Sequence, residues 1–434
     1  MEYWDEISKE IENSIKQHDS STAFATIRRL KGNRTNVENL PIQDKEGNIL
    51  NNSRDRMVRW KEHFSELLNV HSNIDQSILQ NITPSTIPVM EQIRQDKLPS
   101  LNEVKEAINK MKSGKAPGID SISVDLLKVG GEPIAIWLHE IIVEIWETEE
   151  MVEDWTTAIL IRIYKNKGDK KMCDNYRGIS LLVAASKVFS RIILNRVQHL
   201  IDNQLLEQQA GFRKNRSTID QIFILKMIME RSQEYNKPLH MCFIDIQKPY
   251  DSVNRDLLWQ ICRYYGIGDK LIRMFKLLYK NTKAKVRINS EMSDEFSIET
   301  GVMQGGIPSP ILFNIFFDFI MRQVMKQLDD IGVKMAYGSN DFFHTDREKY
   351  KQLNILTLLY ADDVVVMCDN NTDLERFIKT FENVTQQFGL LMNVKKTCIM
   401  SLIQLQEDST RRTIKNQQVN TTNNNKLIQQ TTTS

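Results

Sequence analysis

Apolar and polar positions recur with two different periods along the chain. Up to about residue 240, apolar side chains return every three or four positions, most clearly in 59–70, 186–205 and 217–235. This spacing predicts amphipathic helices. From MCFID (241–245) onward, short apolar runs typical of buried strands alternate with helical stretches, and such a run returns in LTLLYADDVVVMCD (356–369). The pattern predicts a mixed α/β fold in which helices cover a sheet.

Capping and turn residues indicate where several elements begin and end. Ser100, followed three residues later by Glu103, has the signature of a capping box at a helix N-terminus. Gly266 closes the helix predicted for RDLLWQICRYYG, and prolines open the long helix predicted for 308–328. The stretch 283–301 alternates in the manner of a hairpin.

Composition divides the chain into four predicted regions. Residues 1–90 are predicted to be mainly helical and polar, and they end in the Pro/Ser/Thr-bearing linker 82–90. Two mixed regions follow, at 91–240 and 241–402. Beyond these, 403–434 is rich in Asn, Gln and Thr and has too few apolar groups to offset the entropy of ordering, so it is predicted to be disordered.

The overall composition narrows the class of protein without indicating a partner. With 434 residues and 41% hydrophobic content, the chain can bury a large core. The 57 Lys and Arg nearly balance the 56 Asp and Glu, so a nucleic-acid surface would have to come from local clustering. No apolar run could span a bilayer and no leader is evident, so a soluble intracellular protein is expected. Scattered cysteines without CxxC pairs are typical of reduced thiols: Cys173, Cys242, Cys262, Cys368 and Cys398.

Two adjacent carboxylates, Asp362 and Asp363, lie inside the apolar run TLLYADDVVVM (357–367). Unpaired charge in such surroundings is unfavourable, so a compensating positive charge is expected. Successive strand residues face opposite sides, so the two acids can converge only at a turn, which predicts a tight hairpin with the acids at its tip. Asp245 ends a second apolar strand, and acids at the strand ends of one sheet can hold divalent cations. The alternative is a hairpin whose acids are simply solvated.

Seven ordered stretches between about residues 40 and 400 resemble reverse transcriptases of the non-LTR (LINE-type) retrotransposon branch. Four resemble the palm motifs: FIDIQKPYDSV (243–253), TGVMQGGIPSPILFN (300–314), LLYADDVVVM (358–367) and GLLMNVKKTCIM (389–400). Three are similar to fingers and pre-fingers motifs of that branch: NKMKSGKAPGIDSI (109–122), YKNKGDKKMCDNYRGISLL (164–182) and EQQAGFRKNRSTIDQI (207–222).

This resemblance implies a right-hand polymerase, with a helical N-terminal connector at 1–90, fingers at 91–240 and an antiparallel palm sheet flanked by helices at 241–402. The implied activity is RNA-directed DNA polymerisation, in which dNTPs are added to a DNA primer on an RNA template with two Mg²⁺ ions, or Mn²⁺ in their place. The stretches that match lack the endonuclease and thumb parts of such elements. A separate chain or a missing segment would then supply the thumb, and action in the nucleus is expected.

The resemblance also implies roles for individual residues at the metal site. Asp245 and Asp362 would be metal ligands, with Asp363 assisting and the carbonyl of Ile246 as a further ligand. Tyr250 would stack under the incoming sugar, where a ring would clash with a 2′-hydroxyl. Ordinary aromatic packing is the alternative for Tyr250.

Four further residues would contact the nucleotide. Arg177 would bind the triphosphate, because a planar guanidinium suits phosphate oxygens. Gln304 and Gly305 would form a loop under the nucleotide, where glycine allows close backbone approach. Lys396 would protonate the leaving pyrophosphate as a general acid. The alternatives are a surface ion pair for Arg177, a plain turn before a helix for Gln304 and Gly305, and a solvated lysine for Lys396.

Basic residues in three loops are candidates for contact with nucleic-acid phosphates: Lys115, Lys165, Lys167, Arg213 and Lys214. Any one of these loops would more often be a solvated surface, and it is their company with the palm motifs that suggests a channel. Gly114-Lys115 is not part of a phosphate-binding P-loop, because Ala116 follows and no glycine stands five residues earlier.

Two rival functions follow from the same residues. Pro249 and Met303 depart from the residues usual in the family, and Pro249 fixes φ and lacks an N–H next to Tyr250. Pro249 and the missing thumb favour an inactive truncated or co-opted fragment that retains only nucleic-acid binding. An RNA-dependent RNA polymerase shares the palm, but the bulky Tyr250 and the Tyr-Ala-Asp-Asp hairpin argue against it.

Overall fold

The computed structural model describes residues 2–16, 40–70, 74–328, 331–335, 353–402 and 415–418. The chain divides into two compact units. The smaller comprises Met1–His63, Arg162–Arg177 and Val286–Ser293, and the larger comprises Phe64–Ile161, Gly178–Lys285 and Asp294–Ser434.

Helices account for just under half of the described residues. They are α1 (Glu2–Lys16), α2 (Ser53–Leu68), α3 (Gln76–Asn81), α4 (Val89–Asp96), α5 (Leu101–Lys110), α6 (Val124–Val129), α7 (Gly131–Thr148), α8 (Ala184–Asp202), α9 (Thr218–Glu234), α10 (Arg255–Tyr264), α11 (Asp269–Tyr279), α12 (Ser309–Lys326) and α13 (Asn371–Gln387). Among these helices, none combines the length and apolar character that crossing a bilayer requires.

The strands are mostly short. They are β1 (Ile42–Gln43), β2 (Ile49–Leu50), β3 (Thr157–Tyr164), β4 (Tyr176–Leu181), β5 (Leu239–Ile244), β6 (Lys283–Ile288), β7 (Glu291–Met292), β8 (Phe296–Ser297), β9 (Val333–Met335), β10 (Leu353–Ile355), β11 (Thr357–Tyr360), β12 (Asp363–Cys368), β13 (Cys398–Leu402) and β14 (Lys415–Gln418). The mixture of helices with antiparallel strands confirms the predicted α/β class.

The predicted ends of several elements agree with the structure. Ser100 caps α5, because its hydroxyl accepts from the Glu103 amide at 3.3 Å and the Glu103 carboxylate accepts from the Ser100 amide at 2.9 Å. α10 ends two residues before Gly266, whose φ of 78° is the left-handed conformation common after helices. α12 carries a proline in its first turn.

Two segments differ from the sequence prediction. In the region predicted to be helical, β1 and β2 form a hairpin, because Asp44 accepts from the Asn48 amide and Gly47 supplies a φ of 91°. In the predicted disordered tail, β14 pairs antiparallel with β13, so backbone pairing at an edge substitutes there for the missing apolar side chains. The rest of that tail lies outside the described residues.

One antiparallel sheet organises the larger unit, with the strand order β11-β12-β5-β13-β14. Its two faces are covered differently. Residues such as Cys242, Ile244 and Val366 belong to the main core, which includes apolar side chains of α10, α12 and α13. Met241 and Met367 face a smaller cluster that includes Ile228 of α9. β5, between β12 and β13, is therefore buried on both faces until it ends at Ile244.

Candidate active site

The paired acids lie where β11 turns into β12. Tyr360 pairs with Asp363 across the two strands, which leaves Ala361 and Asp362 as a two-residue turn. Ala361 has a φ of 56°, a left-handed conformation that is rare for residues other than glycine but usual in hairpin turns of this length. Asp362 is half-buried and Asp363 is exposed. The predicted tight hairpin with acids at its tip is therefore present.

The register of the sheet brings Asp245 opposite Asp363. Val364 pairs with Ile244, and the next position along each strand is Asp363 on β12 and Asp245 beyond β5. Strand alternation puts both side chains on the face of the smaller cluster rather than in the main core. Partial burial, and then the negative charge of Asp245, raise the pKa of Asp363. Two carboxylates distant in sequence are thus close enough to repel each other.

Asp362 acts on a different neighbour, Tyr250. The Tyr250 ring stacks on Phe313 of α12, with the ring centroids 4.6 Å apart and the planes 23° from parallel. Burial, and then the charge of Asp362, raise the pKa of the Tyr250 hydroxyl. The predicted sugar-contacting ring and the turn carboxylate therefore belong to one site.

A loop before β13 surrounds Asp245. The Asp245 carboxylate accepts from the side-chain amide of Asn393 at 2.8 Å and lies 3.2 Å from the Lys396 ammonium. The Asn393 backbone amide also donates to the Asp245 carbonyl at 2.7 Å, and the Asp245 amide donates to the Thr397 hydroxyl at 3.3 Å. Lys396, which is 68% exposed, supplies positive charge beside Asp245. Asn393 was missed in the sequence, where an amide five residues into a motif gives no chemical signal.

The oxygen atoms at this site suit a hard cation. The bridge between Ile246 and Met392 is made by the Gln247 amide, which donates to Leu391, and by the Asp245 carbonyl. That pairing therefore does not use the Ile246 carbonyl. Within the described ranges, no three His, Cys, Asp or Glu side chains are grouped as a metal site. Mg²⁺ commonly takes one or two carboxylates and completes its shell with water and substrate phosphates, so the donors present fit it.

A buried carboxylate, Asp251, holds Gln304. The Gln304 side-chain amide lies 3.2 and 3.0 Å from the two Asp251 carboxylate oxygens, and Asp251 is 4% exposed. Burial raises the pKa of Asp251 to about 7, against the opposing effects of the Gln304 hydrogen bond and the Lys248 charge. Asp251 was not singled out in the sequence, because an acid one residue after Tyr250 could equally be a surface turn residue.

Gly305 fits a backbone position that a side chain could not occupy. Its φ is 105°, and a Cβ there would lie 2.8 Å from the Ser180 carbonyl oxygen. The neighbouring Gln304 carbonyl accepts from the Ser180 amide at 3.2 Å. The predicted loop is thus packed closely against the residues that follow the Asn-Tyr-Arg-Gly motif.

Pro249 occupies a turn that accommodates it. The Lys248 carbonyl accepts from the amides of Asp251 and Ser252, both at 3.0 Å. Pro249 is therefore the second residue of a β-turn, where its fixed φ is favourable and its missing N–H breaks no bond of that turn. The unusual backbone is that of Lys248, with a φ of 44°.

The predicted nucleic-acid-binding residues of the larger unit differ in whether their side chains are held by hydrogen bonds or exposed. The Arg213 guanidinium donates to the carbonyls of Asp202, Leu206 and Gln209 at 2.6, 2.9 and 3.1 Å. It therefore organises its own loop. Lys214 and Lys115 are exposed.

The remaining predicted basic residues belong to the smaller unit. Arg177 is exposed on β4, and Lys167 is exposed in the turn between β3 and β4. Lys165 donates to the Asp174 carbonyl at 2.6 Å. The Tyr164 hydroxyl donates to Gly168 at 2.5 Å, so the basic turn is fixed by its own flanking residues.

Comparison with known proteins places these motifs in a family. The sequence matches the family described as "Reverse transcriptase (RNA-dependent DNA polymerase)" over residues 164–425. The transposon TX1 149 kDa protein of Xenopus laevis is 22% identical, over 82% of this chain and 26% of that protein. The RNA-directed DNA polymerase from mobile element jockey of Drosophila funebris is 24% identical, over 87% of this chain and 40% of that protein. The chain thus spans less than half the length of these relatives.

A further relative and a solved structure are also similar to this chain. The Pol polyprotein from the type-1 retrotransposable element R2 of Popillia japonica is 22% identical, over 57% of this chain and 32% of that protein. A solved apo telomerase from Candida tropicalis is 17% identical, with a TM-score of 0.41, over 64% of this chain and 58% of that one. The relatives jockey and R2 confirm the predicted resemblance to the non-LTR branch. The match covers more than half of the residues, and the chain belongs to the reverse transcriptase (RNA-dependent DNA polymerase) family.

Proposed function

We propose that this chain is an RNA-directed DNA polymerase that adds dNTPs to the 3′ end of a DNA primer on an RNA template. The observation that carries the proposal is the placement of Asp245 opposite Asp363, with Asp362 in the adjoining turn. Family membership supports the reaction class. The jockey relative, which is named as an RNA-directed DNA polymerase, supports the choice of template and product.

The carboxylates of Asp245, Asp362 and Asp363, with the carbonyl of Ile246, would hold Mg²⁺, or Mn²⁺ in its place. When bound, two such ions supply charge stabilisation at the attacking and leaving oxygens of phosphoryl transfer. The oxygen-only donor set fits this assignment, and the repulsion between Asp245 and Asp363 gives the site a need for positive charge. Asn393, in the loop before β13, orients the Asp245 carboxylate by donating a hydrogen bond to it.

The nucleotide would lie between Tyr250 and the loop of Gln304 and Gly305. Because Phe313 backs the Tyr250 ring, the ring cannot retreat from a 2′-hydroxyl, which favours dNTPs over rNTPs. Asp251 keeps the Gln304 amide directed by accepting its hydrogen bond. Lys396 carries a proton at its Nζ beside Asp245, from which the departing pyrophosphate could be protonated.

Contacts with template, primer and triphosphate are assigned to exposed basic residues. Arg177 would bind the triphosphate, and Lys115, Lys165, Lys167 and Lys214 would contact backbone phosphates. Arg213 would act mainly by shaping the loop that presents Lys214. We assign 1–90 to a connector, 91–240 to fingers, 241–402 to palm and 403–434 to a tail. Action in the nucleus and a thumb supplied by another segment or chain belong to the same proposal.

Primer extension on a homopolymer RNA template tests the proposal. The full chain is incubated with oligo(dT), dTTP and Mg²⁺, alone and with a protein that supplies a thumb. Incorporation that depends on Mg²⁺ and is lost in Asp362→Ala is expected. Asp256→Asn, an exposed acid of α10, is the matched control and should retain activity.

Three other outcomes would contradict the proposal. Equal activity of Asp362→Ala would remove the assigned site. RNA binding without incorporation under either condition would favour the truncated or co-opted binding fragment. Efficient incorporation of rNTPs would favour an RNA polymerase.

A further inference from the structure

The loop Leu206–Arg213, here the platform loop, is fastened to the end of α8. Arg213, the last residue of the loop, donates to the carbonyls of Leu206 at its start and Gln209 in its middle, and to that of Asp202, the last residue of α8. One guanidinium thus holds three carbonyl oxygens, so the loop closes on itself and on the helix.

The platform loop is also fastened to α12 through two buried side chains. Asp318 accepts from the Leu206 amide at 2.6 Å, and Asn314 donates to the Gly211 carbonyl at 2.7 Å. Asp318 is 1% exposed and Asn314 is fully buried. Contacts of this kind, buried and hydrogen-bonded at both ends of a loop, make it a rigid support.

This support holds the turn that carries the paired acids. Gln209, which is 1% exposed, accepts with its side-chain oxygen from the Ala361 amide at 2.8 Å and from the Gly211 amide at 2.9 Å. Its side-chain nitrogen donates to the Ala361 carbonyl at 3.3 Å. Both polar ends of one amide are therefore used on one residue of the turn.

Backbone contacts extend the same attachment. The Leu359 amide donates to the Gln208 carbonyl at 3.0 Å, and the Ala210 amide donates to the Leu359 carbonyl at 2.9 Å. A Cβ on Gly211 would lie 2.3 Å from the Ala361 nitrogen, so the two backbones touch at that point. The platform loop thus pairs in parallel with β11 at Leu359, and its Gly211 touches the left-handed Ala361.

We propose that Gln209 is a positioning residue for catalysis, which fixes the Ala361 turn and thereby the distance of Asp362 and Asp363 from Asp245. The inference rests on the proposed polymerase function. Asp363 lies opposite Asp245 in the register of the sheet, so the spacing of the two carboxylates depends on a fixed attachment of the Ala361 turn. Gln209 supplies this attachment by binding the backbone of Ala361. Its side chain therefore does not compete with the carboxylates for a metal.

The test compares Gln209→Met, which keeps length and volume but removes the hydrogen bonds, with Gln208→Met as the matched neighbour. Steady-state extension is measured against dNTP and Mg²⁺ concentration. Gln209→Met should lower kcat by at least about tenfold, because small displacements of reacting groups are costly. The KM for dNTP should stay within about twofold, and the Mg²⁺ concentration for half-maximal activity should rise. Gln208→Met should match the unsubstituted chain.

Hydrogen exchange separates this inference from the proposed function. Amide exchange of the peptide covering 357–367 should accelerate in Gln209→Met and not in Gln208→Met, whether or not the chain polymerises. If Gln209→Met does not fold, the shorter Gln209→Asn is measured in its place. An unchanged kcat, a change confined to the KM for dNTP, or unaltered exchange at the turn would overturn the positioning role. Absence of activity in the unsubstituted chain would count against the proposed function, while the exchange result would still decide the attachment.

Discussion

Carboxylates lie among apolar side chains in two regions of the larger unit, and the protein compensates them in opposite ways. Asp318, on α12, accepts from the Arg322 guanidinium at 2.7 Å, from the Leu206 amide and from the Tyr265 hydroxyl. The Asp318 charge also raises the pKa of Tyr265, after the larger effect of burial. This acid is satisfied entirely by the chain itself.

The acids at the hairpin tip are arranged differently. Asp245 has Lys396 and Asn393 as partners, yet its charge still raises the pKa of Asp363. Asp363 is exposed, whereas Asp318 is 1% exposed. The difference indicates that Asp318 was placed for stability, while the tip retains unfavourable electrostatics that a bound cation would relieve. Functional sites commonly keep such local cost.

Replacing Asp363 by Ala is the strongest test of this contrast. We expect dNTP incorporation to fall by at least about 1,000-fold, or ~4 kcal/mol, because a carboxylate proposed to hold the metal is removed. The free energy of unfolding should stay the same or rise, since the repulsion with Asp245 disappears. Primer extension and urea unfolding on the same preparation measure both. A loss of stability as large as the loss of activity would erase the distinction between the two regions.

Asp251 is an intermediate case, because it is buried like Asp318 but has a neutral partner. Its raised pKa of about 7 means that the folded chain keeps a proton that the unfolded chain loses near its usual pKa of 3.8. Stability should therefore be greatest below about pH 4, fall by an amount on the order of 4 kcal/mol as pH rises to about 7, and then level off.

Asp251→Asn should remove that slope, and urea unfolding across this pH range measures it. Two side chains act on the Asp251 carboxylate: Gln304 donates a hydrogen bond to it, and Lys248 is the nearby cation. A slope that persists in Asp251→Asn would assign the titration to another group. Asp256→Asn is the matched control, because Asp256 is exposed.

Asp318→Asn should act mainly on stability. Loss of the charge leaves Arg322 without its carboxylate, so the free energy of unfolding should fall by about 2 kcal/mol. Incorporation measured well below the new midpoint should change far less than in Asp363→Ala. Because Asp318 also holds Leu206 of the platform loop, some loss of kcat is expected, and a loss equal to that of Asp363→Ala would contradict the contrast.

The sequence predicted the chemistry of this site better than its supports. Local patterns sufficed for the hairpin tip and for Asp245, because alternation and a turn fix which side chains can converge. The antiparallel sheet with its flanking helices confirms the predicted fold class, and membership of the reverse transcriptase family agrees with it. Asn393, Gln209 and Asp251 escaped notice because their roles depend on partners far away along the chain. The residue-by-residue roles and the domain bounds stay predictions.

Pro249 is where sequence and structure lead to different expectations, and the effect to be measured is the smallest. The sequence suggests damage beside Tyr250, whereas the turn from Lys248 to Asp251 accepts a proline at its second position. Pro249→Ala should therefore lower the free energy of unfolding by about 0.5–1 kcal/mol, because the unfolded chain gains freedom. Incorporation should remain within about twofold, since the hydrogen bonds to Lys248 and the Tyr250–Phe313 stack do not involve a Pro249 N–H. A marked gain of activity in Pro249→Ala would instead show that the proline misdirects Tyr250. The site would then be inactive because Tyr250 is misplaced, although the carboxylates at the hairpin tip are intact.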